Sequence, residues 1–167
     1  MLIRIAQSKE LELLKEQRII AYEEYAEKLP ESHWAALRSA ITADMDSNSE
    51  GEILIAEDEG KILGSVALFP AKTDAYQGLV KAQDYPEIRM LAIMPLARKM
   101  GVGSALINEC INRSKRKNAQ YIGLHTGEFM IHAKKLYEKL GFHRVPELDF
   151  VPADDGIVVN AYRYTLK

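Results

Sequence analysis

Cysteine is almost missing: Cys110 is the only one in 167 residues. A lone thiol makes no internal disulfide and supplies no zinc cage, a usage that fits a reducing compartment. Long apolar runs are missing too. The longest, Met90 to Ala97, is far too short to cross a bilayer. The opening MLIRIAQSKELELL has neither an apolar signal core nor a small-residue cleavage site, so the expectation is a cytoplasmic protein without a signal peptide. Charge of one sign is lacking as well: the net value is -2, with 28% charged and 47% hydrophobic residues. Such totals exclude a disordered chain and argue against a general nucleic-acid or membrane binder. Repeats, low-complexity tracts and linkers are absent, and the expectation is one domain over residues 1–167. A chain of this size buries about 70% of its unfolded surface, enough for one core.

Apolar periodicity orders the elements. LIRIA alternates as a short strand; Ser8, followed by Leu11, Leu14 and Ile19, reads as the N-cap of an amphipathic helix. A second helix is expected from Glu31 to about Asp44, with Trp34, Leu37 and Ile41 on one face. EGEILIAEDEGKILGSVALFP reads as a hairpin turning at Glu57 to Gly60. A polar stretch, Ala71 to Tyr85, precedes a strand from Pro86 to Met94 that Pro95 ends. Val102, Leu106, Ile107, Cys110 and Ile111 share one face of the next helix, which makes Cys110 a core residue. AQYIGLHT is a strand and FMIHAKKLYEKL a helix stopped by Gly141; Phe142 to Val145 and IVVNAYRYTL are the last strands. The fold class is therefore mixed α/β (α+β), a largely antiparallel sheet of about seven strands with about four helices and one parallel strand–helix–strand crossover.

Between the third long strand and its helix stands ARKMGVGSAL, Ala97 to Leu106. Glycines 101 and 103 leave backbone amides unshielded at the positive end of a helix dipole, an arrangement that binds anions. Each charge-assisted hydrogen bond there contributes about 1.5–3 kcal/mol, so a diphosphate is a suitable guest. The Walker pattern fails because Ser104 and Ala105 stand where a Lys-Ser/Thr pair is required. The dinucleotide fingerprint fails because Leu106 stands where a third glycine is required.

What remains, MLAIMPLARKMGVGSALI, resembles the acetyl-CoA signature of the GNAT family of N-acetyltransferases: a strand ending in hydrophobic-x-Pro, then Arg/Gln-x-x-Gly-x-Gly/Ala and a helix. AKKLYEKLGF, Ala133 to Phe142, is similar to the family's late helix with its Leu-Tyr-x-x-x-Gly-Phe ending. The resemblance implies acetyl-CoA as co-substrate, with its pyrophosphate on the backbone amides of Met100, Gly101, Val102, Gly103 and Ser104, beside Arg98 and Lys99. It further implies that Leu91, Ala92 and Ile93 pair with the pantetheine arm, and that a nearby β-bulge aims one amide at the thioester carbonyl. Two departures stand out. Lys99 occupies a position that is often glycine, and Met130 stands where the late helix often begins with Asn.

Acetyl transfer to an amine needs a base and an acid. A lysine-like amine is almost wholly protonated at neutral pH, a handicap of about 4 kcal/mol. The resemblance assigns the acid that protonates the leaving thiolate to Tyr137, which otherwise reads as a ring packed on the sheet. It assigns the base to Glu87, which otherwise reads as a strand-end carboxylate. His125 is the reserve base or a neighbour of the next loop. His125 and His132 have no acidic or cysteine partner at metal spacing, so no metal is expected. Lys115 to Lys117 complement a helix end, and Lys134, Lys135 and Lys139 are candidates for the coenzyme's 3′-phosphate.

Acceptor specificity in the family lies in segments that correspond to Leu29 to Met45, Ala71 to Tyr85 and Glu147 to Gly156. Asp74, Asp84, Asp149, Asp154 and Asp155 oppose Lys72 and Lys81 in the last two, a mild acidic bias that favours a small cationic amine. The alternative is an acetyl-CoA-binding sensor without turnover, and another short acyl group is also open. Members of the family are often dimers, so the resemblance leaves a homodimer open, and no nucleic-acid or membrane partner is expected.

Overall fold

The computed structural model describes residues 1–43, 51–73 and 78–167. In chain order the elements are β1 (Leu2–Ile5), α1 (Leu11–Tyr22), α2 (Glu31–Thr42), β2 (Glu52–Asp58), β3 (Lys61–Phe69), β4 (Glu87–Ile93), α3 (Val102–Arg116), β5 (Tyr121–Gly127), α4 (Ile131–Leu140), β6 (His143–Arg144) and β7 (Val159–Thr165). The seven strands form one sheet in the order β1-β2-β3-β4-β5-β7-β6. Parallel pairing joins β4 to β5, with Glu87 opposite Gly123 and Ile88 opposite Leu124, whereas β1–β2, β5–β7 and β6–β7 pair antiparallel. The expected order and sheet type hold.

Two compact units share the chain: Met1–Ala67 with Met90–Leu106, and Leu68–Arg89 with Ile107–Lys167. In the first, Arg4 ties β1 to β2 and to the entry of α1, donating to Glu57 at 2.9 Å and to Glu10 at 2.7 and 3.0 Å. Ser8 is not the cap. A 3₁₀ turn, Ser8–Glu10, precedes α1, Gln7 holds the extended cap position, and the Gln7 amide donates to the Glu10 carboxylate at 2.7 Å. The acid three residues on reaches back as in a capping box, and Ser8 falls inside the first turn. Leu14, Arg18, Ala21 and Tyr22 form the buried face of α1. Arg18 Nη1 donates to the Ile41 carbonyl at 2.8 Å, a cation at the C-terminal end of α2. In α2 it is His33 and Ile41 that are buried, while Trp34 and Leu37 are half-buried. The hairpin turns on Glu59 (φ 48°) and Gly60 (φ 79°), the double positive φ that a type I′ turn requires.

In the second unit, Gly141 ends α4 with φ 104° in the left-handed region. The strand expected from Phe142 to Val145 shrinks to His143–Arg144, because the Phe142 amide closes the end of α4 on the Tyr137 carbonyl and Val145 leads straight into the turn Pro146–Leu148. Ile107, Cys110 and Ile111, the part of the α3 face that belongs to this unit, are buried, as Val102 and Leu106 are in the first unit.

Candidate active site

β4 leaves regular geometry where it is most needed. Met90 has φ 56°, a left-handed residue inside a strand, next to Leu91. A side chain with Cβ in that region is strained by about 1–3 kcal/mol, and such kinks interrupt a ladder so that a backbone group turns away from it. After Met90, Leu91 and Ile93 are half-buried and Ala92 is buried. Tyr22 of α1 pins this stretch by donating its hydroxyl to the Leu91 carbonyl at 2.9 Å. On the other side β3 approaches through Gly64: a Cβ there would stand 2.8 Å from the Ala92 carbonyl oxygen. Neither contact is legible in the sequence, since each pairs residues distant along the chain.

Below β4, Pro95–Ala97 makes a 3₁₀ turn and the chain reverses through Lys99 (φ 64°) and Gly101 (φ 81°). Lys99 thus adopts the conformation for which glycine is the usual choice, and the departure at this position does not unmake the loop. A Cβ at Gly101 would meet nothing within 4 Å, so glycine serves here for its φ and not for space. The Ala105 amide donates to the Gly101 carbonyl at 3.0 Å and opens the ladder of α3. The amides before it, among them Val102, Gly103 and Ser104, lack intrahelical acceptors at the positive end of the dipole. Lys99, Met100 and Gly101 are exposed, and Gly103 and Ser104 half-buried. Arg98 also makes contacts within the protein. Its guanidinium donates to the Ala21 carbonyl at 2.9 Å and lies 3.2 Å from Glu24, so it fastens the loop to the end of α1. Tyr25 beside it has its phenol pushed up to about 12 by burial and by the Glu24 charge.

The second unit holds the titratable candidates. Glu87 is buried, with Oε1 3.6 Å from His125 Nδ1 and Oε2 sealed without a hydrogen-bond partner among the described residues. A buried, incompletely satisfied carboxylate destabilises a fold by about 1–3 kcal/mol, which is why such groups mark functional sites. His125 Nε2 lies 3.2 Å from the Leu148 carbonyl, so His125 is both the neighbour of the next loop and the partner of Glu87. Tyr137 is 5% exposed on the inner side of α4, its ring 5.9 Å from Phe142 and 6.3 Å from Tyr162. The Tyr162 hydroxyl donates to Glu138 at 2.8 Å, and burial with that carboxylate pushes its phenol up to about 12. Met130 accepts a hydrogen bond on sulfur from Thr126 at 3.3 Å. Among the described residues no group of three His, Cys, Asp or Glu side chains is placed to hold a metal, and no helix is long and apolar enough to cross a membrane. Asp74, and the Asp44 and Met45 end of the second helix segment, lie outside the described residues.

Known proteins share this architecture. An acetyltransferase of the GNAT family from Staphylococcus aureus Mu50 superposes with a TM-score of 0.71 over 99% of both chains at 20% identity. A Corynebacterium glutamicum structure, described as histone acetyltransferase HPA2 and related acetyltransferase, gives 0.69 at 22% identity, covering 98% of this chain and 94% of that one. Salmonella typhimurium yncA, a proposed acetyltransferase solved with its cofactor acetyl-CoA, gives 0.65 at 15% identity over 100% and 94%. In sequence, an uncharacterized N-acetyltransferase of Bacillus subtilis (strain 168), YhfO, is 28% identical over 95 residues, which are 57% of this chain and 60% of that protein. The model of the acetyltransferase (GNAT) family matches residues 11–142, which include β4, the glycine loop, α3 and the Leu-Tyr-x-x-x-Gly-Phe ending of α4. The chain belongs to the GNAT acetyltransferase family.

Proposed function

We propose that the protein is an N-acetyltransferase, acting as one domain, that moves the acetyl group of acetyl-CoA to a primary amine on a small molecule by direct attack in a ternary complex. The observation that carries the reading is the backbone of the loop: positive φ at Lys99 and Gly101 immediately before the amide row that opens α3. That row fits a diphosphate by charge and by donor supply. The amides of Met100 to Ser104 hold the diphosphate, and Arg98 holds the loop to α1. Leu91, Ala92 and Ile93 align the pantetheine arm along β4, and an amide released by the kink at Met90 donates toward the carbonyl oxygen. Bound acetyl-CoA supplies an acetyl group activated as a thioester. Glu87 takes the proton that makes the acceptor amine nucleophilic, and the Tyr137 hydroxyl gives one to the departing sulfur. The acidic loop residues Asp84, Asp149, Asp154 and Asp155 support a cationic acceptor.

The test is calorimetric titration with acetyl-CoA and then with coenzyme lacking the diphosphate-bearing half, followed by mass spectrometry of pooled amines. Tight binding of the whole coenzyme, loss with the truncated one and an acetylated amine are expected. Equal binding of both forms overturns the assignment of the loop.

A further inference from the structure

Opposite Gly123 in the parallel register, Glu87 shares a sheet face with His125, two residues further along β5. Both side chains are nearly sealed, at 11% and 2% exposure, with Glu87 Oε1 3.6 Å from His125 Nδ1. The other ring nitrogen, Nε2, sits 3.2 Å from the Leu148 carbonyl. A carbonyl only accepts, so Nε2 carries a hydrogen and Nδ1 of the neutral ring presents a lone pair to the carboxylate. At 3.6 Å the two atoms stand just beyond hydrogen-bond length, and a proton taken up by either one gives it a hydrogen to donate once they close on each other.

Leu148 has little freedom to release the tautomer. Its amide donates to the Val145 carbonyl at 3.0 Å, and Asp149 next to it accepts from Arg144 at 2.7 Å and from the Ala161 amide at 2.8 Å. Phe150, whose ring centre is 5.4 Å from that of His125, exchanges backbone hydrogen bonds with Val159 at 3.2 and 2.8 Å. The Arg144 ion pair holds the Asp149 carboxyl below its usual range. Tyr85 also feels the charge of Glu87. Burial and the Glu87 charge push its phenol up, Glu147 adds to this, and Arg163 opposes it.

Resting on the transferase reading, we propose that Glu87 and His125 work as a one-proton pair that receives the proton of a cationic amine, with His125 the positioning residue and the Leu148 carbonyl its anchor. The nitrogen–hydrogen bond of the acceptor breaks, its electron pair stays on nitrogen, and the proton ends between Oε1 and Nδ1. The pair passes from one negative charge to none, matching the one positive charge that the amine gives up.

Two arms test this on the full chain. The first needs no turnover: 15N spectra of the histidine rings across pH, with His125 assigned by loss of its signals in His125→Asn. The wild-type neutral ring is expected to carry its hydrogen on Nε2, and Glu87→Gln is expected to move the Nδ1 resonance. A neutral ring protonated on Nδ1, or an Nδ1 resonance unmoved by Glu87→Gln, overturns the pair. The second arm is a double-mutant cycle on kcat. Glu87→Gln and His125→Asn are each expected to lower kcat at least about tenfold with the KM for acetyl-CoA held within about threefold, and the double variant to lose no more than the worse single one. Multiplying losses, or an undiminished His125→Asn variant, contradict a shared proton. Absence of turnover in the wild type counts against the transferase reading, while the spectra still decide the pair.

Discussion

Replacing Gly101 by alanine isolates the backbone of the loop from everything else. The position has φ 81°, and a Cβ placed there would have no atom within 4 Å, so the added methyl meets no neighbour and only the conformation resists it. An L-residue in the left-handed region is strained by about 1–2 kcal/mol, and the stiffer unfolded chain returns about 0.4–1 kcal/mol of that. The net loss is about 1 kcal/mol, or about 2–4 °C in Tm for a chain of this size. Gly60 is the control: it turns the β2–β3 hairpin with φ 79° and likewise has nothing within 4 Å of a Cβ. Gly60→Ala is therefore expected to lower Tm by the same amount. Only Gly101→Ala should also weaken acetyl-CoA, because a residue that relaxes toward negative φ rotates the amides of the loop. Losing one charge-assisted hydrogen bond of about 1.5–3 kcal/mol weakens binding about 10- to 150-fold. Thermal unfolding and calorimetric titration of the two variants read both effects. Equal acetyl-CoA affinity in Gly60→Ala and Gly101→Ala, at matched loss of Tm, would refute the assignment of the loop to the diphosphate.

At Gly64 the objection is space: a Cβ there would lie 2.8 Å from the Ala92 carbonyl and 2.9 Å from Ile93 Cδ1. Gly64→Ala should destabilise the protein by about 1–3 kcal/mol and, by displacing β4, reduce kcat/KM for acetyl-CoA; an unchanged Tm contradicts the close approach. The Glu10 carboxyl is lowered to about 2, first by its hydrogen bond from Arg4 and then by the Gln7 amide. A depressed folded-state value stabilises above the unfolded value of 4.5 and is lost as pH falls from there toward about 2. Denaturant unfolding of Glu10→Gln should show a shallower fall in stability over that window than wild type. Parallel curves would remove Glu10 from the acid response.

Much of the fold was legible because local chemistry dictated it. Period-2 and period-3.6 apolar patterns located every main element, Glu59 and Gly60 announced the hairpin turn, and Gly141 the end of α4. Boundaries slipped where a residue beyond the local pattern intervened: Glu10 reached back to Gln7 and displaced Ser8 as the cap, and the Phe142 amide closed α4 instead of opening a longer strand. The glycine loop was legible for the same local reason, since φ preference at Gly101 is a property of one residue. What the sequence concealed was long-range. The Tyr22 hydroxyl on the Leu91 carbonyl, Arg98 fastened to α1, His125 beside Glu87, and Gly64 against Ala92 each join residues far apart in the chain, and no periodicity carries them.

Thiol release from acetyl-CoA with pooled small amines, polyamines, amino acids and basic peptides, wild type against Tyr137→Phe, decides whether the protein is a transferase and whether Tyr137 is its acid. Amine-dependent release is expected in the wild type, with a fall in kcat of about 10²-fold or more in Tyr137→Phe and acetyl-CoA binding retained. Wild-type turnover that Tyr137→Phe leaves unchanged would contradict the proposed acid, and a wild type that binds acetyl-CoA but releases no thiol with any amine would contradict the transferase itself.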